Sequence, residues 1–246
     1  MTDNSSPNRS IARGQTVREL AKRLGKMEAG RRLAAGDVVT STGIPALDTL
    51  LPDEGLRTGT LVEWLADSPA SGVDLLALLS AKPLLRDGQA LVLFDRQKAF
   101  HPTAAVAWGI PLRQTIVVRP KNQAEELWAL EQCLQSAGVA VSYCRLEDVT
   151  SRILRRLQLA AERGNGLGCL LRPLSARGQP AWSDIRLAVT GVGSPSGLRC
   201  CRVELVRCRR GAGEKAVTLE IDNATGVVRE TAELATTAHT SRAVRA

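Results

Sequence analysis

Between an apolar run ending at Leu65 and another opening at Val73 the chain reads Ala66-Asp67-Ser68-Pro69-Ala70-Ser71-Gly72-Val73-Asp74. A turn between a strand and a helix is where a chain can cradle phosphate, because backbone N–H groups at a helix N-terminus face the anion. Two side chains complete such a site: a Lys that reaches the β- and γ-phosphates, and a Ser or Thr that holds Mg²⁺. Here the Lys position is Val73 and the hydroxyl position is Asp74. Of the glycines such a loop uses, Gly72 remains, and the loop opens on Ala66. Asp67 and Asp74 would set negative charge beside any phosphate, and Pro69 removes one N–H donor. Taken alone, the loop is either a plain strand-to-helix turn or a phosphate site stripped of its chemistry.

Other catalytic constellations have little to draw on. The two histidines, His101 and His239, lie far apart in sequence, which leaves no basis for a His-based triad or metal cluster. Cys133, Cys144 and Cys169 sit in apolar surroundings and read as small core residues. Cys200, Cys201 and Cys208 lack the C-x-x-C spacing of a zinc site. No metal and no cofactor is expected. The formal net charge of +8 makes anionic partners plausible, nucleic acid among them. Arg199, Arg202, Arg207, Arg209 and Arg210 cluster late in the chain and are candidate nucleic-acid contacts. Strand alternation puts Cys201, Val203 and Leu205 on one face and Arg202, Glu204 and Val206 on the other, so these arginines are only partly co-facial. Aromatics are 3% of the chain, too few to stack bases, which leaves phosphate-type contacts.

The elements that must position these residues follow from periodicity. Short apolar runs at 60–65, 90–94, 115–118, 139–143 and 167–171 read as strands. Between them, 73–85, 101–109, 124–137 and 148–163 read as helices, the last capped by Asp148 and the one before it stopped by Gly138. This alternation predicts an α/β fold with a mostly parallel twisted sheet and helices on both faces. Runs at 185–190, 201–208 and 216–221 joined by Gly-rich turns predict an antiparallel C-terminal extension. Residues 1–36 carry eight Lys and Arg against three acids and read as a basic arm with an amphipathic helix from about 16 to 29. Residues 37–229 form the core, and 230–246, Ala/Thr-rich without a periodic apolar face, read as a disordered tail. No apolar run approaches a membrane span and Met1 to Ser10 lacks a signal-peptide stretch, so a cytoplasmic protein with no membrane partner is expected.

Motifs around the loop give it context. Ser41-Thr42-Gly43 with Leu47-Asp48, then Gly55-Leu56-Arg57-Thr58-Gly59-Thr60-Leu61-Val62-Glu63, resembles the approach to the phosphate loop in the RecA ATPase family. Asp95-Arg96-Gln97-Lys98-Ala99-Phe100-His101-Pro102 and then Ala107-Trp108-Gly109-Ile110 resemble that family's next segments. The resemblance implies a RecA-like three-layer α/β/α core. It also implies that the water-activating glutamate falls at Gln97, an amide that cannot act as base, and that the magnesium-binding aspartate after 139–143 is replaced by Cys144 and Arg145. With Val73 and Asp74, four requirements of ATP hydrolysis are missing, so no enzyme activity is expected.

A narrower resemblance is to ImuA-type proteins. It rests on Glu125-Glu126-Leu127-Trp128-Ala129-Leu130-Glu131, on the block Ser151 to Arg163 with its Leu157-Gln158-Leu159-Ala160-Ala161, on Leu170-Leu171-Arg172-Pro173, and on Ala181-Trp182-Ser183-Asp184-Ile185-Arg186. It implies a non-catalytic accessory protein of SOS-induced mutagenesis and translesion synthesis. Its implied partners are a Y-family polymerase homologue of the ImuB kind, RecA, and an error-prone replicative-type polymerase, with nucleoid association. Candidate partner-binding residues are Val17, Leu20 and Leu24 in the arm and Arg152 and Arg156 in the basic helix. A DNA-binding RecA-like protein and a cell-division inhibitor of the SulA type are the alternatives.

Overall fold

A computed structural model describes residues 38–193, 198–209 and 215–231. The basic arm with Val17, Leu20 and Leu24, together with Arg210 and positions 232–246 of the tail, lies outside the described residues.

A nine-stranded sheet organises the described chain. Its strands are β3 (Leu61–Ala66), β4 (Ala90–Phe94), β5 (Thr115–Val118), β6 (Val139–Arg145), β7 (Leu167–Pro173), β8 (Ile185–Val192), β9 (Arg199–Cys208), β10 (Ala216–Ile221) and β11 (Val228–Glu230). Their spatial order is β11-β10-β9-β8-β3-β7-β6-β4-β5. All pairings from β8 through β3 to β5 are parallel, and β8–β9, β9–β10 and β10–β11 are antiparallel. The antiparallel extension thus stands as its Gly-rich turns predict. Two elements had no clear sequence signal: β11, and a separate ribbon of β1 (Val39–Thr40) with β2 (Leu56–Arg57). Both are too short for alternation to show.

Five α-helices accompany the sheet among the described residues: α1 (Pro45–Asp48), α2 (Val73–Ala81), α3 (Pro102–Ala107), α4 (Gln123–Gln135) and α5 (Ser151–Gly164). Strand side chains divide between two cores by the two-residue period of a pleated sheet. Val62, Trp64, Leu91, Leu93, Val141, Tyr143, Cys169 and Leu171 pack with α2 on one face. Leu61, Val92, Phe94, Cys144 and Leu170 pack with α4 and α5 on the other. This is the three-layer arrangement. α2 is buried all round except at Asp74, as expected of a helix whose apolar residues do not keep to one stripe.

Several helix limits differ from expectation, three of them with a clear local cause. α2 ends at Ala81, because Pro83 cannot continue the hydrogen-bond ladder and the chain tightens into a 3₁₀ turn over Lys82–Leu84. α4 is stopped at Ser136, before Gly138. α5 is capped by Thr150 rather than Asp148: its hydroxyl accepts from the Ile153 N–H at 3.4 Å, whereas Asp148 sits two residues too early to reach the first turn. At its far end α5 passes close to the end of α4. A β-carbon on Gly164 would lie 2.0 Å from the Leu134 carbonyl oxygen, so only glycine permits this crossing.

Candidate functional site

The carboxyl ends of β3, β4, β6 and β7 open onto a cleft of about 640 Å³, the place where open parallel sheets bind ligands. Ala66, Asp67, Ser68, Asp74, Gln97 and Arg145 are among its lining residues. The phosphate-loop candidate therefore does sit at a cleft, and the structure shows what the loop does there.

Two of its N–H donors are engaged within the loop. Ala70 N donates to the Ser68 hydroxyl at 3.1 Å, and Ser71 N donates to the Ser68 carbonyl at 3.1 Å. These bonds close a 3₁₀ turn over Pro69–Ser71, which tightens the loop on itself. Gly72 follows at φ 86°, the left-handed conformation that favours glycine, and caps α2. It is also sheathed: a β-carbon there would stand 2.9 Å from Arg199 Cδ and 3.0 Å from Ile221 Cδ1. Strands β9 and β10 of the antiparallel extension thus reach over the loop's glycine.

Asp74, at the position where the family resemblance implies a magnesium-binding hydroxyl, has protein partners. Its Oδ1 accepts from the Tyr143 hydroxyl at 2.6 Å and from Arg145 Nη2 at 2.6 Å. Burial, and next the Asp74 charge, push the Tyr143 hydroxyl well above its ordinary range, so it stays a proton donor. Arg145 is, with Cys144, one of the two residues at which the resemblance implies a lost magnesium-binding aspartate. The strand's alternation turns Cys144 into the opposite core and leaves Arg145 on the cleft. With Arg145 and Asp74 each about one-third exposed, at 32% and 37%, the ion pair stabilises by at most about 1 kcal/mol. Its consequence is chemical. A carboxylate already bound to a guanidinium and a phenol is a poor Mg²⁺ ligand, and β3–α2 is tied to β6 without metal or nucleotide.

Gln97 lies exposed at the cleft, its Nε2 3.4 Å from Glu147 Oε1. Asp95 holds its loop in place, accepting from Ala99 N at 2.7 Å, Phe100 N at 3.3 Å and Arg119 Nε at 3.2 Å. Arg96 pairs with the buried Glu126 of α4 at 3.1 Å. Burial raises the Glu126 carboxyl above its usual range, and Arg96 only partly offsets this.

The motif residues that sequence reasoning singled out mostly perform structural work. Asp48 accepts from Ser41 Oγ at 2.6 Å, Thr42 Oγ1 at 2.7 Å and Thr42 N at 2.8 Å, closing the Ser-Thr-Gly turn onto α1. Glu63, Arg172 and Arg186 come from three separated motifs on β3, β7 and β8 and meet in the interior. Glu63 Oε2 lies 3.1 Å from Arg172 Nη1 and 2.8 Å from Arg186 Nη2, with all three side chains at most 2% exposed. Arg186 also donates to the carbonyls of Ala176, Arg177 and Gln179, which pins the turn after β7. Sequence reading missed this triad, although a Glu inside an apolar strand is a signal that a buried cation must exist.

The candidate arginines are dispersed. Arg199 lies against Gly72, while Arg202 projects from the other face of β9. Arg207 donates to the Ala181 carbonyl at 2.6 Å, and Arg209 lies 3.6 Å from Asp184 and 3.9 Å from Glu162. On α5, Arg152 is exposed and Arg156 pairs with Glu131 at 3.0 Å. Among the described residues no helix is long and apolar enough to cross a membrane.

No protein-family model matches the chain. Protein ImuA of Caulobacter vibrioides (strain NA1000 / CB15N) is 32% identical over 206 residues, covering 75% of this chain and 84% of the relative. RecA proteins of Crocosphaera subtropica and Chlorobaculum tepidum are 26% and 28% identical over 167 and 155 residues. These cover 65% and 61% of this chain but 46% and 44% of the RecA proteins, so the chain spans less than half of their length. The parallel sheet with its antiparallel extension, the cleft at the strand ends and these similarities together make the fold RecA-like, and the chain belongs to the ImuA family.

Proposed function

We propose that this chain is a non-catalytic RecA-like accessory protein of DNA-damage-induced translesion synthesis. It works by protein–protein contact, with a Y-family polymerase homologue as the main partner and RecA and an error-prone replicative-type polymerase as further ones. The observation that carries this reading is the Asp74–Tyr143–Arg145 cluster, which occupies the positions where metal and phosphate chemistry would be done. A scaffold that supplies its own ion pair there needs no nucleotide to hold the loop. In this reading residues 1–36 are a basic contact arm, 37–229 the core and 230–246 a tail, with Val17, Leu20, Leu24, Arg152 and Arg156 offered to partners. Direct DNA binding as the main role is less well supported, since Arg207 and Arg209 are engaged within the fold and Arg199 and Arg202 face opposite ways.

Two measurements test the proposal. A ligand at a hundred times its Kd would stabilise the fold by about 2.7 kcal/mol. Saturating MgATP is expected to leave the melting temperature unchanged, with turnover at background. Magnesium-dependent turnover that disappears in a Gly72 variant would overturn the non-catalytic reading. Affinity co-purification from DNA-damaged cells at moderate salt is expected to recover a Y-family polymerase homologue. Recovery only of salt-labile, DNA-dependent partners would favour the DNA-binding reading instead.

A further inference from the structure

Trp182 belongs to none of the machinery above. Its side chain is 41% exposed, yet it is held at two points. The indole Nε1 donates to Ser151 Oγ at 2.8 Å, and the Arg155 guanidinium lies 4.7 Å from the ring centroid. Arg155 is itself steadied by Gln158. A large apolar surface kept in water at a fixed orientation loses little freedom when a partner covers it.

The surroundings on α5 give this surface a chemistry. Leu159, 36% exposed, follows Arg155 by one helical turn, so Ser151, Arg155 and Leu159 form one stripe of the helix. Arg152, Arg156 and Arg163 flank that stripe. Arg156 is paired with Glu131, but among the described residues no acid pairs with Arg152 or Arg163. The result is an exposed Trp and Leu bordered along one side by Arg152 and Arg163, with Glu162, three residues beyond Leu159, accepting from Gln158 Nε2 at 2.6 Å. Aromatic and arginine side chains are those in which binding energy concentrates at protein interfaces.

We propose that this face of α5 docks an acidic amphipathic peptide segment of a partner protein. The segment places a large apolar side chain against Trp182 and Leu159 and carboxylates against Arg152 and Arg163. The inference deepens the accessory role proposed above and rests on it for the partner being a protein. Nucleic acid fits the face less well. Arg155 already covers one side of the indole, and a phosphodiester chain gains nothing from Leu159.

The test selects a displayed random dodecapeptide library on the full-length chain and measures recovered peptides by fluorescence anisotropy, with oligo(dT) as the nucleic-acid probe. Recovered peptides are expected to combine Asp or Glu with Leu or an aromatic residue. Their binding should weaken about tenfold or more in Trp182→Ala and in the Arg152→Glu/Arg163→Glu pair, and stay within about twofold in Trp128→Ala. The Arg pair is solvent-exposed and probes the surface without disturbing the core, should Trp182→Ala lower the melting temperature. Recovery of no peptide, of peptides without acids, or of peptides that bind all variants equally would overturn the proposal. So would oligo(dT) binding that is lost in the same variants. If a polymerase homologue still co-purifies with Trp182→Ala, this surface fails and the accessory role stands. If it fails to co-purify even with the wild-type chain, the role itself fails.

Discussion

Between Arg172 and Arg186 the Glu63 carboxylate has no access to water, and those two guanidinium groups are its charge partners. Removing the shared anion strands two buried guanidinium groups. Glu63→Gln is therefore expected to destabilise the fold by about 3–5 kcal/mol, read from urea unfolding midpoints. A loss under about 1 kcal/mol would mean the triad is not the interior tie described here. Glu126 has the opposite character: burial raises its carboxyl above the ordinary value of 4.5, and Arg96 offsets this incompletely. A carboxyl whose folded-state pKa is raised adds stability below its unfolded pKa and loses it as pH rises through the folded value. Wild-type stability should then fall relative to Glu126→Gln as pH rises from 4.5. Unfolding midpoints of the two proteins that stay at a constant offset across that window would contradict the assignment.

At the scale of elements, α5 is set by its two ends. Thr150→Ala removes the hydroxyl that accepts from Ile153 N, and about 1 kcal/mol should be lost. Gly164→Ala forces a methyl group into the Leu134 carbonyl, so α5 must lift from α4. A larger loss of about 1–3 kcal/mol is expected there despite alanine's better helix propensity. Thermal melts of the two variants should rank in that order, and a stabilised Gly164→Ala would show that the crossing has slack. The same logic gives the Ser41-Thr42-Gly43 and Asp48 motif a structural use. Asp48 closes a turn that positions α1 against the core, a need independent of ATP.

For the molecule as a whole, the cores on the two sheet faces enclose most of the thiols. Cys133, Cys169 and Cys201 are pushed up to about 12 by burial, and Cys144 is also pushed well above its ordinary range. Cys200 is buried as well, and Cys208 is partly exposed. Alkylation of the native protein near pH 8 should therefore label Cys208 first, with all six thiols labelled after denaturation, as counted by mass spectrometry. Rapid native labelling of Cys144 or Cys169 would mean the sheet opens far more readily than its packing implies.

The alternation of short apolar runs with longer helical patterns determined the α/β class, the parallel run of strands and the antiparallel extension, because burial on both sheet faces writes itself into local sequence. The residue types at Val73, Asp74 and Gln97, on which the expectation of a stripped phosphate site rests, were likewise legible, since each is a matter of one position. What the replacements do was not legible. That Asp74 bonds Arg145 and Tyr143, that Arg199 and Ile221 cover Gly72, and that Glu63 meets Arg172 and Arg186 all depend on strand order. Residues roughly seventy to more than a hundred positions apart become neighbours only when β6, β7, β8, β9 and β10 take their places around β3 and α2. Periodicity reports which face of an element is buried and is silent on which other element buries it. That choice, made by packing across the whole sheet, is what turned a bare strand-to-helix turn into a self-paired site.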